Sequence, residues 1–124
     1  MLNSIRVLLS LIVITLSANV YSHEMTPTYP KFVQSFMNGV SVTTMNLFNK
    51  RKDVSYYKVG VFTSEWKPVP FVSQYVVIPM AYLDSVSFDV YIATKDLGSV
   101  EYICSISQLR TGSTVTSKIC SRFK

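Results

Sequence analysis

Few residues in the sequence are able to do chemistry: one histidine, two cysteines and seven carboxylates. The single histidine, His23, excludes a histidine-dependent triad or a multi-histidine metal cage within one chain. As a new amino terminus His23 could offer copper its amine and ring, but such sites normally recruit a second imidazole, so an ordinary solvated terminus is expected. The carboxylates Glu24, Asp53, Glu65, Asp84, Asp89, Asp96 and Glu101 show no metal-loop spacing, and glycines at 39, 60, 98 and 112 make no phosphate cradle. Neither catalysis, metal nor cofactor is expected, and binding is the remaining class. Lys50-Arg51-Lys52 reads as a solvated turn, so no nucleic-acid partner is expected. Aromatic residues interleaved at strand spacing read as core; Tyr56-Tyr57 is the exception, because adjacent strand residues cannot both face inward.

The chemistry of the cysteines depends on the compartment. Arg6 supplies positive charge, Val7 to Leu16 is apolar apart from two hydroxyl residues, and Ser17 to Ser22 turns small and polar. That is the layout of a secretory signal, with cleavage expected after Ser22 and, as a second option, after Ala18. Even Val7 to Tyr21 is only fifteen residues, short of the roughly 20 that a spanning helix needs, so no membrane segment is expected after cleavage. Residues 1–22 are thus assigned to a signal peptide and residues 23–124 to one domain, periplasmic or secreted. In an oxidising compartment an even cysteine count is read as a disulfide between Cys104 and Cys120. Such a bridge closes a loop of fifteen residues and contributes roughly 3 kcal/mol, a large share for a small domain. The remaining chain keeps eleven basic and seven acidic residues, a net charge of +4.

The elements that position these residues are strands. Between His23 and Lys124 there are 28 Val, Ile or Thr and 15 aromatic residues against four Leu and two Ala, a composition suited to pleated surfaces. Period-2 patterning is clearest in Ser85 to Ile92, where Val86, Phe88, Val90 and Ile92 share one face. Tyr57, Val59 and Val61 alternate in Ser55 to Phe62, and Met45, Leu47 and Asn49 end the set in Val42 to Asn49. Further strands are expected over Gln74 to Ile78, Val100 to Ser107 and Thr114 to Phe123, with an extended edge at Met25 to Lys31 that carries Pro27 and Pro30. The turns fall at Asn38-Gly39, residues 49–53, Lys67 to Pro70, Ile78-Pro79, residues 96–99 and residues 111–113. The expected fold is all-β: a single immunoglobulin-like β-sandwich of about seven strands. Both cysteines fall late, on neighbouring strands, and Trp66 falls in a turn, which differs from the antibody pattern. The facing of the last strand stays open. If Cys120 points into the core with Cys104, Lys118 shares that face, where an amine is costly unless it lines a groove.

One order of motifs runs through the chain: Thr26-Pro27-Thr28, then Leu47-Phe48-Asn49, the tyrosine-led Tyr56 to Val61, Ile78-Pro79 and the alternating strand after it. This order resembles the amino-terminal immunoglobulin-like domain of periplasmic pilus assembly chaperones, over nearly all of His23 to Lys124 and one of that family's two domains. The resemblance implies a protein partner bound by β-strand addition, with backbone hydrogen bonds for affinity and alternate side chains for register. It implies that Val115, Ile119 and Phe123, on one face of the last strand, meet the partner strand. It also implies a carboxylate anchor made by a first-strand Arg and a last-strand Lys; Lys118 matches the second, while Tyr29 occupies the Arg position with Lys31 two residues on. Some members of that family tie the same two strands with a disulfide, as Cys104 and Cys120 would. The alternative is a secreted surface or virion module that adheres without chaperone activity, and an assembled subunit ranks below both because Thr114 to Phe123 looks like a complete closing strand.

Overall fold

A computed structural model describes residues 22–109 and 116–123; the export stretch, except Ser22, and Val115 lie outside the described residues. The chain forms β1 (Glu24–Thr26), β2 (Val33–Gln34), β3 (Val40–Phe48), β4 (Val54–Phe62), β5 (Val77–Pro79), β6 (Ser85–Ala93), β7 (Tyr102–Leu109) and β8 (Lys118–Arg122), with a short 3-10 turn over Thr94–Ser99. Every ladder is antiparallel. β6 pairs with β3 along its whole length, from Val40↔Ala93 to Phe48↔Ser85. A strand has two edges, so β1 and β2 must share the other one, at Glu24↔Phe48 and Val33↔Val42. The second sheet runs β5-β4-β7-β8.

The expected edge strand at the start is thus two short pieces. Pro27 and Pro30 fall between them, and a residue without an N–H cannot carry a ladder. After β1 the chain crosses toward the second sheet, where the Thr28 carbonyl accepts from Arg122 N–H at 3.0 Å. The period-2 reading places the core correctly: Met45 and Leu47, Phe88, Val90 and Ile92, and Tyr57, Val59 and Val61 are buried between the sheets, with Ile78 and Ile103. Tyr57 is fully buried while Tyr56 is 50% exposed. The other aromatic residues divide, with Phe32, Phe71 and Phe123 packing partly buried against the core as expected. Phe88 joins Tyr57 inside, but Tyr29, Phe36, Trp66, Tyr75 and Tyr82 are exposed, because they stand in turns, at edges or on outer faces where the alternation does not apply.

Asn49, fully buried after β3, ties one end of the sandwich together. Its Oδ1 accepts from Tyr57 Oη–H at 2.6 Å and from Arg51 N–H at 2.9 Å, while its Nδ2 donates to the Val54 and Ala81 carbonyls at 3.2 Å. Its backbone joins the 80–84 turn through Asn49 N–H to Asp84 O and Leu83 N–H to Asn49 O. Burial pushes the Tyr57 phenol up to about 12, so it stays a neutral donor. Replacing Asn49 with Ala strands several buried polar groups at once, each costing about 1–3 kcal/mol, whereas Tyr57→Phe leaves Oδ1 with a donor. Urea unfolding is therefore expected to show a loss of at least about 3 kcal/mol for Asn49→Ala and about 1 kcal/mol for Tyr57→Phe.

Candidate functional site: the β8 edge and the cluster beneath it

β8 is an edge strand held on one side. Ser107 N–H donates to Ser117 O at 2.9 Å and Phe123 N–H to Glu101 O at 2.8 Å, so residues 117, 119, 121 and 123 turn their backbone groups to β7. Arg122 N–H points the opposite way, to Thr28. Lys118 and Cys120 share its direction, and their N–H groups take no partner among the described residues. β1 runs beside this edge in parallel, because His23 reaches Ser117 at one end and Thr28 reaches Arg122 at the other. Between those two contacts the seam carries no ladder.

Cys104 and Cys120 are disulfide-bonded, with Cα atoms 4.0 Å apart at a directly opposed pair. The bridge lies on the outer face of its sheet, since Ile103, Ser105, Ser107 and Ser121 point inward. This settles the facing of β8. Lys118 shares the bridge's outer face and is exposed, so no amine is buried; Ser121 is buried, and Ile119 and Phe123 pack partly buried against the core. Trp66 roofs the bridge. Tyr102 stacks on the indole at 4.3 Å and 3°, and Lys118 Nζ stands 4.1 Å from its centroid, so the two must occupy opposite faces of the ring. They flank the disulfide two residues away on β7 and on β8, which sets the indole over it. Cys104 is accordingly fully buried although it faces outward.

Lys31 and Lys118, expected to share a carboxylate, stand toward different ends of β8. Lys31 follows Thr28, which meets Arg122, and the neighbouring Phe32 ring packs edge-on against Phe123 at 5.1 Å. Lys118 lies four residues earlier on β8, about 13 Å away at strand rise. The reason is the parallel seam, which carries the start of the chain toward the far end of β8. Val115 lies outside the described residues.

Beneath the Lys118 end is a buried polar cluster. His23 is 1% exposed, which overturns the expectation of a solvated terminus. Its Nε2 reaches the Ser105 carbonyl at 3.2 Å, an acceptor only, so that nitrogen carries the proton and also lies 2.8 Å from Ser105 Oγ. Nδ1 then accepts from Ser117 Oγ–H at 2.9 Å. Ser117 N–H donates to Ser107 Oγ at 2.8 Å, and Arg51 Nη1 lies 3.4 Å from Ser117 Oγ. Arg51, expected in a solvated turn, is buried, and its Nε donates to Asp53 at 2.9 Å. That hydrogen bond holds the Asp53 carboxyl below its usual range. The sequence did carry a signal for this cluster: Ser105 and Ser107 sit at inward positions of β7 and Ser117 just before β8 continues the alternation, where hydroxyls need partners.

No family model matches the sequence, and no curated protein matches it either. In fold the chain is similar to the E. coli chaperone DraB, with a TM-score of 0.56 at 13% identity, over 84% of this chain and 54% of that one. The chain spans about half the length of that chaperone. The likeness is one of fold: an immunoglobulin-like sandwich that a chaperone also uses.

Burial first, and then the Arg51 charge, lower the His23 pKa to about 4, against the opposing hydrogen bond to Ser105. Between pH 6.5 and 4 the unfolded chain binds this proton and the folded one does not, so stability falls as pH falls through that window. A shift of that size corresponds to about 3 kcal/mol. Thermal melts are expected to show this loss in the native protein and a flatter profile over the same window in His23→Gln.

Proposed function

We propose that this domain is an exported, chaperone-like module that binds an extended β-strand of a partner protein by adding it to β8. The observation that carries the reading is the open side of β8, where Lys118 and Cys120 present N–H groups outward from a strand already clamped to β7. A row of unpaired backbone groups is a template for another strand. The fold likeness supports the same reading. An added strand would displace or splay β1, whose hold on β8 in the seam is slight, and would lie beside the half-buried Ile119 and Phe123. Lys118 is the proposed contact for a terminal carboxylate, its ammonium already placed by the indole, with Lys31 toward the other end of β8.

The test is co-expression in the periplasm with a β-sandwich subunit that lacks its closing strand, comparing Lys118→Pro with Lys118→Ala. Alanine keeps the outward N–H and proline removes it without breaking an internal bond, so the two variants should melt at similar temperatures. Strand addition predicts that proline weakens capture at least tenfold relative to alanine. Equal capture by both would contradict it. Recovery of the protein with outer membrane or particles, and never with the subunit, would favour the adhesive reading.

A further inference from the structure

The outer face of the β1-β2-β3-β6 sheet is apolar at one end. Val33 pairs with Val42, Val42 with Tyr91, and Tyr91 with Val72, making one cross-strand row of four apolar residues. This row faces away from the core, since Ser41, Thr43, Val90 and Ile92 take the inward positions. The other end of the same face is polar and internally bonded, as Thr44 and Gln74 with Asp89 and Ser87 with Asn46 show. A solvated sheet face is expected to be polar throughout, so an apolar patch confined to one end marks a contact surface. Beside the row, Phe36, Met37, Val40, Phe71, Val72 and Tyr91 line a groove of about 490 Å³. Phe36 stands 85% exposed at its edge, Val72 is 69% exposed and Val33 61%.

We propose that this face is the self-association surface of the protein, a two-fold contact with a second copy of the chain. A two-fold interface must be self-complementary, which requires one patch to carry both a projection and a recess. Phe36, exposed with its ring edge-on to Tyr91 at 6.1 Å, is the projection, and the groove it borders is the recess, with room for a phenyl ring. The charges follow the same rule. Lys95 and Asp96 are adjacent, Asp96 lines the groove, and neither forms an ion pair among the described residues. Across a two-fold axis each lysine meets the other copy's aspartate. This surface lies on the sheet opposite β8, so it stands whether or not strand addition does.

Sedimentation velocity of the exported protein, from low micromolar to a few hundred micromolar, tests the proposal. A concentration-dependent dimer is expected. Phe36→Asp should weaken it about a hundredfold, because an inserted aromatic ring at a two-fold contact acts as an anchor in both copies. Its melting temperature should match the native one, since the side chain is exposed; Val72→Asp serves as a second variant with the same expectation. Asp96→Lys should weaken the dimer at least tenfold, and adding Lys95→Asp should restore it. A monomer throughout the range, a dimer that Phe36→Asp and Val72→Asp leave intact, or a charge swap that fails to restore would each overturn it.

Discussion

The cross-link between Cys104 and Cys120 is the constraint on which the rest of the β8 edge depends. β8 is five residues long, and besides its ladder to β7 it has, among the described residues, one backbone link, from Arg122 to Thr28. A strand so short at the margin of a small domain frays unless it is tied. The disulfide ties it from the outer face, at an opposed pair where the backbone groups of Cys120 point away from β7. The strand is therefore fixed in register while the backbone groups of Lys118 and Cys120 stay turned outward. Proteins usually blunt such an edge, and here a loosely apposed β1 gives partial cover.

The surroundings of the bridge follow from the same need. Opposite Cys104 on β4 stands Gly60, and a Cβ there would come within 2.7 Å of the Phe62 ring, which folds back over it. Phe62 in turn lies 6.0 Å from Trp66, whose backbone takes a left-handed φ of 64°, uncommon for a bulky residue. Tyr102 and Lys118 hold the indole in that position from both faces. On the inner side, His23 and Ser117 close the seam between β1 and β8, and Asn49 anchors the loops around them. The start of the chain is thus part of the edge rather than a loose end.

Much of the fold was legible because alternation at period 2 leaves a strand little choice of facing. Val86 to Ile92 and Tyr57 to Val61 needed only that rule, and the cysteine pair needed only the compartment and the count. The site was less legible. Lys31 and Lys118 were paired by analogy of order, but the parallel run of β1 along β8 separates them, and parallel association leaves no local sequence mark. The burial of His23 and Arg51 depends on serines more than 50 residues away in the sequence, so no window of neighbouring residues reveals it. The serines at inward positions were the available clue, and they state a need for partners without naming them.

The central claim is that the outward side of β8 is unpaired in the free protein and paired in the complex. Amide hydrogen exchange read residue by residue by NMR measures it directly, in the free protein and with the strand-deficient subunit bound. The account predicts that Lys118 and Cys120 exchange fast when free, unlike Ile119 and Ser121, whose groups face β7, and that both become strongly protected in the complex. Slow exchange at Lys118 and Cys120 in the free protein, or binding that leaves them unprotected, would contradict it.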